Sequence, residues 1–392
     1  MNEPINRREL LCGASFLLAQ LGTARAAWSA LQAGAAAPET ARTASGLLIR
    51  SQEPLNLEMP FANLRDFLVS NEQFYVRNHF PQPRIEARDW RLRVEGLVKQ
   101  PLELTYDEVR KLGDRTAPVL LECAGNDRAY LNPKAKGVQW EQGAVGTAEW
   151  TGVPLKALLQ RAGVRSGATD VVFEGADRGE VADLSGAIHF ARAVPLQKAQ
   201  RDVLLAYRMN GAELPPSHGF PLRVVVPGWY GVSSVKWLTR IVVTDQTFRG
   251  YFQSVDYTYW DRPYGVPIQR PITELSVKAQ IARPVGQEVV PAGKPYRVFG
   301  AAWTGEADVE RVEVSTDGGR SWSGARLIGK PVRHAWRLWE YDWAVPARGG
   351  RYALMVRATD SRGRQQPSER SRDLRNYMIS HPLTTEVEVR AG

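Results

Sequence analysis

Pro118-Val119-Leu120-Leu121-Glu122-Cys123-Ala124-Gly125-Asn126-Asp127-Arg128 is an apolar run that ends in a cysteine and then turns small and polar. Aliphatic residues up to Glu122 favour a strand. The thiol therefore stands at a strand end, where Ala124 and Gly125 leave room for a bulky group. Arg128 adds positive charge that favours the thiolate, the form that binds metal or attacks. A cysteine so placed is as often a buried filler, so its meaning depends on its surroundings.

Working outward, strand-like segments surround this run: Gln73–Arg77, Trp90–Glu95, Asp170–Glu174, Leu222–Val226 and Leu238–Val243. Short helices fall between them, at Tyr106–Leu112 after the cap Thr105, and at Leu155–Ala162 before Gly163. Strands and helices without regular alternation predict an α+β domain. After the proline-containing stretch 263–271 the helical pattern ends. Tyr296–Gly300, Val309–Ser315, Trp336–Trp343 and Tyr352–Ala358 are short strands, separated by turns such as Asp317-Gly318-Gly319. They predict a β-sandwich of immunoglobulin type. The domain reading is a signal at 1–27, a linker at 28–54, the α+β domain at 55–265 and the β domain at 266–392.

The 392 residues, 43% hydrophobic and 24% charged, have a globular composition. A net charge of +9 suits an anionic partner, but Lys and Arg form no basic run, which argues against nucleic acid. Near the N-terminus, Arg7-Arg8 precede a modest apolar stretch and the small-x-small Ala24-Arg25-Ala26. This resembles a twin-arginine export signal and predicts a periplasmic protein. No later segment reaches the length of a membrane span. Cys12 lies inside the presumed signal, so export leaves Cys123 as the one cysteine, with no disulfide partner.

The chain has no Gly-x-x-x-x-Gly-Lys loop, His-Glu-x-x-His, Cys-x-x-Cys or Gly-x-Ser-x-Gly, and no Cys-x-x-Cys-His for covalent haem. Its five histidines show no zinc-like spacing. A Cys/His nucleophile built on Cys123 with His79 or His218 stays open, although neither histidine has an evident orienting partner.

Several blocks in order resemble the sulfite oxidase family. They are Tyr75-Val76-Arg77-Asn78-His79, Cys123-Ala124-Gly125-Asn126, Lys136-Gly137-Val138-Gln139-Trp140, Trp150-Thr151-Gly152-Val153, His218-Gly219-Phe220-Pro221-Leu222-Arg223 and Ser234-Val235-Lys236-Trp237. Val314-Ser315-Thr316-Asp317-Gly318-Gly319 with Trp322 resembles its dimerisation domain. The likeness spans roughly 55–390.

The resemblance implies one molybdenum–molybdopterin per chain, with Cys123 as the protein thiolate on the metal; with no haem-binding segment in the sequence, no haem is expected in this chain. Tyr75, Val76, Arg77, Asn78, His79, Asp177, His218, Arg223, Ser234, Val235 and Lys236 would hold the pterin and its phosphate. Arg77, Arg128, Trp140, Tyr257 and Arg375 would form an anion pocket. Arg375 rests on Asp373-Leu374-Arg375-Asn376 and is equally a surface arginine; Tyr257 is equally a packing tyrosine. His218 and Arg223 are alternatively a polar network under the fold. Asp127 stands where animal members carry an arginine; adjoining the pocket, it either points away or tunes substrate choice or partner docking, and it bears on whether sulfite is the preferred substrate.

The implied reaction is oxidation of sulfite to sulfate by oxygen-atom transfer, with electrons passing to a cytochrome c-type acceptor. A homodimer, or a heteromer with a cytochrome subunit, is implied with it. The alternatives are the molybdenum subunit of a thiosulfate-oxidising complex, a sulfoxide reductase, or an exported anion-binding protein without cofactor.

Overall fold

The computed structural model describes residues 41–391. The predicted signal, and Cys12 with it, lie outside the described residues. Within the expected linker, Leu48–Ser51 is instead a strand paired antiparallel with Asn56–Glu58, and Leu47 and Leu48 are buried. Burial of two leucines holds a stretch whose composition reads as a linker.

The α+β domain is built on two five-stranded sheets. One runs Ala212–Glu213, Leu204–Met209, Val145–Pro154, Arg115–Glu122, with Arg223–Val225 also pairing Leu204–Met209. The other runs Leu102–Thr105, Arg91–Gly96, Leu238–Thr244, Asp170–Gly179, Ile188–Pro195. The helix Tyr106–Arg110 starts at a reciprocal cap, Thr105 with Glu108. Leu155–Ala162 ends at Gly163 with φ +69°, the left-handed conformation that glycine adopts without strain.

The last residues of Arg115–Glu122 are all buried, because packing covers both faces of the strand end. Gln73–Arg77, expected as a strand, has no ladder and makes a single bridge from Val76 to Leu57. Residues 74–79 all contribute to the lining of one cavity, although they form no ladder.

The second region is the expected sandwich. One sheet orders Lys278–Arg283, Pro295–Trp303, Arg337–Ala344 and Arg326–Leu327. The facing sheet orders Val289–Pro291, Thr385–Arg390, Gly350–Asp360, Val309–Ser315 and Ser323–Gly324. Val298, Val312, Trp339 and Leu354 form its own core. The side chains of Trp303, at the end of a sandwich strand, and of Trp336 pack into the core of the α+β domain, so the described residues from Arg42 onward form one unit. No helix among the described residues is long and apolar enough to cross a membrane.

A candidate cofactor cavity around Cys123

The strand Arg115–Glu122 delivers Cys123 to the wall of a cavity with about 650 Å³ of empty space, its open mouth included. That is the size class of cofactor sites. Cys123 is buried and unpaired by any disulfide. Its N–H donates to Ala144 O at 2.9 Å, and its carbonyl accepts from Asn126 N at 2.9 Å, which closes a turn. The Asn126 side chain ties the turn down, accepting from Ala144 N at 3.0 Å. A Cβ on Gly125 would lie 2.2 Å from Arg128 Nη2, so Gly125 makes room for Arg128 rather than for a ligand.

Of the expected pterin-binding residues, Tyr75, Val76, Arg77, Asn78 and His79 form one wall, and Asp177, His218, Arg223, Ser234 and Lys236 form another. Val235 is buried behind the wall, where its carbonyl accepts from Val224 N at 2.7 Å. Tyr257 also lines the cavity, its hydroxyl 2.7 Å from His79 Nε2 and 3.4 Å from Arg77 Nη2.

Three cations, Arg77, Arg223 and Lys236, line the cavity against one carboxylate, Asp177. Arg223 spends its guanidinium on His218 O (2.9 Å) and Ser234 O (3.1 Å) and lies over the Trp150 ring. Burial lowers its pKa to about 10. Lys236 donates to Ser217 O at 2.9 Å and to Asn78 Oδ1; burial and then Arg223 push its pKa well down. His218 falls to about 3, first through burial and then through Lys236 and Arg223, and His79 is likewise pushed well down. Burial raises Asp177 to about 7 despite Lys236, and its Oδ1 has no partner.

Asn78 Nδ2, on the same lining, is also buried without a partner. Buried donors and excess positive charge are costly unless a ligand satisfies them. A polyanionic group with many acceptors fits this cavity, and a thiol on its wall fits a soft metal.

The anion pocket differs from expectation. Arg128 is buried next to the cavity, held by Val138 O (2.9 Å) and Asn376 O (3.1 Å) and lying 5.1 Å from the Tyr377 ring centre. Trp140 is fully buried, edge-on to Tyr75. Arg375 does not reach the cavity: its Nη1 donates to Thr258 Oγ1 at 2.5 Å and to Val255 O at 3.2 Å, so an exposed guanidinium secures the chain beside Tyr257. Asp127, for which pointing away is one of the open placements, turns from the cavity to Lys278 Nζ at 2.8 Å. Burial lifts its pKa to about 6 against the pull of Lys278.

Two features were missed in the sequence. Phe190 stacks on His79, with ring centres 4.6 Å apart, and lacked any motif to mark it. Lys278 and Gln280 alternate with apolar residues in Lys278–Arg283, a pattern that reads as a solvent face, although both are buried.

Comparison with known proteins agrees with the cavity. The oxidoreductase molybdopterin binding domain family matches residues 79–252, and the Mo-co oxidoreductase dimerisation domain family matches 269–387. Sulfite oxidase of Gallus gallus is 40% identical over 346 residues, 82% of this chain and 73% of that protein. The mitochondrial sulfite oxidase of Rattus norvegicus is 37% identical, with 61% of its length covered. NADH nitrate reductase of Solanum lycopersicum is 35% identical, with 39% of its length covered. The structure of the sulfane dehydrogenase SoxCD from Paracoccus pantotrophus superposes with a TM-score of 0.74 at 30% identity, over 85% of this chain and 84% of that one. The chain belongs to the sulfite oxidase family of molybdopterin-dependent oxidoreductases.

Proposed function

We propose that this oxidoreductase converts sulfite to sulfate and passes the electrons to an external cytochrome c-type carrier. The observation that carries the reading is the meeting of one buried thiol, Cys123, with Arg77, Tyr257 and an unbalanced set of cations around a single cavity. When bound, the molybdenum cofactor supplies the oxygen-atom and electron transfer.

The residues of this chain supply the rest. Cys123 is the thiolate that holds the metal. Arg223, Lys236 and the neutral His218 hold the cofactor's phosphate through charge-assisted and neutral hydrogen bonds. Arg77 and Tyr257, joined at 3.4 Å, present donors to a small oxyanion, and Arg128 adds positive charge from behind. His79, kept neutral by burial, holds the Tyr257 hydroxyl in place. Donors fixed before the anion arrives stabilise charge without having to reorganise.

The pairing with an outside carrier and dimerisation through the β domain belong to the same proposal, as does export through the twin arginine at 7–8. The likeness to a sulfane dehydrogenase supports a second reading, oxidation of sulfane sulfur held on a carrier.

The test is molybdenum content together with sulfite-dependent reduction of cytochrome c or ferricyanide. Metal with sulfite turnover supports the first reading; metal with turnover of carrier-bound sulfane sulfur alone supports the second. Cys123→Ser is expected to lower turnover at least about 100-fold, the upper range seen when outer-shell partners of metal ligands are removed. Unchanged turnover in that variant rules the mechanism out.

A further inference from the structure

Behind the cavity, the Cys123 turn is gripped from the second domain. Glu122 and Asp127 bracket the turn in sequence, and neither lines the cavity. Lys278 Nζ lies 2.8 Å from Glu122 Oε1 and 2.8 Å from Asp127 Oδ2, with all three side chains at most 2% exposed. Trp303 Nε1 donates to the other Glu122 oxygen at 2.9 Å, and Gln280 Nε2 donates to Asp127 Oδ1 at 2.8 Å. Lys278, Gln280 and Trp303 stand on two paired strands of the sandwich, in which Lys278 is directly opposite Trp303. The grip therefore has a rigid base.

We propose that Lys278 is a positioning residue for the cofactor ligand: by drawing Glu122 and Asp127 onto one ammonium, it fixes the turn between them and the direction of the Cys123 sulfur. The inference rests on the reading of Cys123 as the metal ligand. Asp127 has φ +71°, a left-handed conformation that aspartate adopts more readily than most non-glycine residues but still at some cost, and its partners in the second domain help to hold it there. Without the ammonium, two buried carboxylates would share a site with no cation, and the turn would have to shift to separate or rehydrate them. Partners one step beyond a metal ligand set its orientation in the same way. The β domain would thus take part in building the site, beyond any part in dimerisation.

A lysine that merely joins two domains gives a different result from one that aims a ligand. The experiment compares cofactor-loaded full-length protein as wild type, K278M, the neutral near-isosteric triple variant E122Q/D127N/K278M, and C123S. Each is measured well below its own melting temperature for molybdenum per chain, the thiolate-to-metal absorption band, kcat and KM.

Folded K278M is expected to show a displaced or weakened band and a kcat lower by about tenfold, with KM changed by less than about threefold. A wild-type band and kcat in folded K278M would overturn the proposal. If K278M does not fold, the triple variant decides, because it strands no buried charge. An altered band in it supports the proposal, and a wild-type band overturns it. A wild-type band in C123S would instead sink the ligand assignment itself, so the two failures are distinguishable.

Discussion

Lys236 and Lys278 lie on opposite sides of the Cys123 turn and are held in opposite ways. Lys236 faces the cavity among Arg77 and Arg223, with Asn78 Oδ1 and Ser217 O as its hydrogen-bond partners; Asp177 acts on it only through its charge. Burial and then Arg223 push its pKa well down. Lys278 is more deeply buried, yet its pKa is raised, because the pull of Asp127 and Glu122 outweighs the burial that alone would lower it. Buried carboxylates that share one buried ammonium find their partner within the protein, and the cluster holds the turn it brackets. Unbalanced buried charge is tolerable only where something else supplies the opposite sign. The contrast separates a structural clamp from a binding wall without reference to any motif.

The largest effect that would break this contrast is on stability. In the cofactor-free chain, K278M strands two buried carboxylates and is expected to cost about 3–5 kcal/mol in chemical denaturation. K236M relieves repulsion among neighbouring cations and leaves only Asp177, which is already raised to about 7, so its cost is expected to stay below about 1 kcal/mol. Cofactor retention reverses the order for the front lysine: K236M loses one charge-assisted contact to an anion, about tenfold in affinity. Equal destabilisation by the two substitutions would dissolve the distinction.

His218 sharpens the comparison through pH. Its folded pKa of about 3 lies below the ordinary 6.5, so between those values the unfolded chain binds a proton that the folded chain does not. The stability tied to neutral His218 is therefore complete above pH 6.5. It is lost as pH falls toward 3, by about 1.4 kcal/mol per unit in the steepest part. His218→Gln should flatten that part of the pH–stability curve of the cofactor-free chain relative to wild type. Bound anion counters Lys236 and Arg223, so the loaded protein should show a shallower slope. Identical slopes in wild type and H218Q would mean that His218 is solvated and the cavity wall less dry than its packing implies.

Much of this was legible in the sequence. The strand end at Cys123, the cap at Thr105 and the sandwich strands are local signals, and local chemistry is enough to set them. The cavity wall from Tyr75 to His79 was legible as a motif but not as a conformation: its aromatic and β-branched residues have strand propensity, yet the segment finds only one bridge, from Val76 to Leu57. The sequence leaves the direction of Asp127 open, because its partner stands 151 residues later on a strand of the other domain. Pairings across a domain seam leave no periodic trace, so Lys278, Gln280 and Trp303 emerge only from the three-dimensional arrangement. Gly125 carried a signal with the wrong occupant, since the space it opens is taken by Arg128.

Arg375 gives the smallest effect and tests where the binding wall ends. A guanidinium in the anion pocket would lower KM directly, and its loss would raise KM by tenfold or more for one charge-assisted contact of about 1.4 kcal/mol. The side chain instead reaches Thr258 Oγ1 and the carbonyls of Val255 and Asp256, the residues flanking Tyr257. Its contribution is that of exposed hydrogen bonds, so R375A should cost about 1 kcal/mol of stability or less. KM for the sulfur anion should change by less than about threefold, with any larger loss falling on kcat through displacement of Tyr257. A tenfold rise in KM with kcat intact would move Arg375 to the binding side, and the unbalanced charge around the cavity would then extend to four cations rather than three.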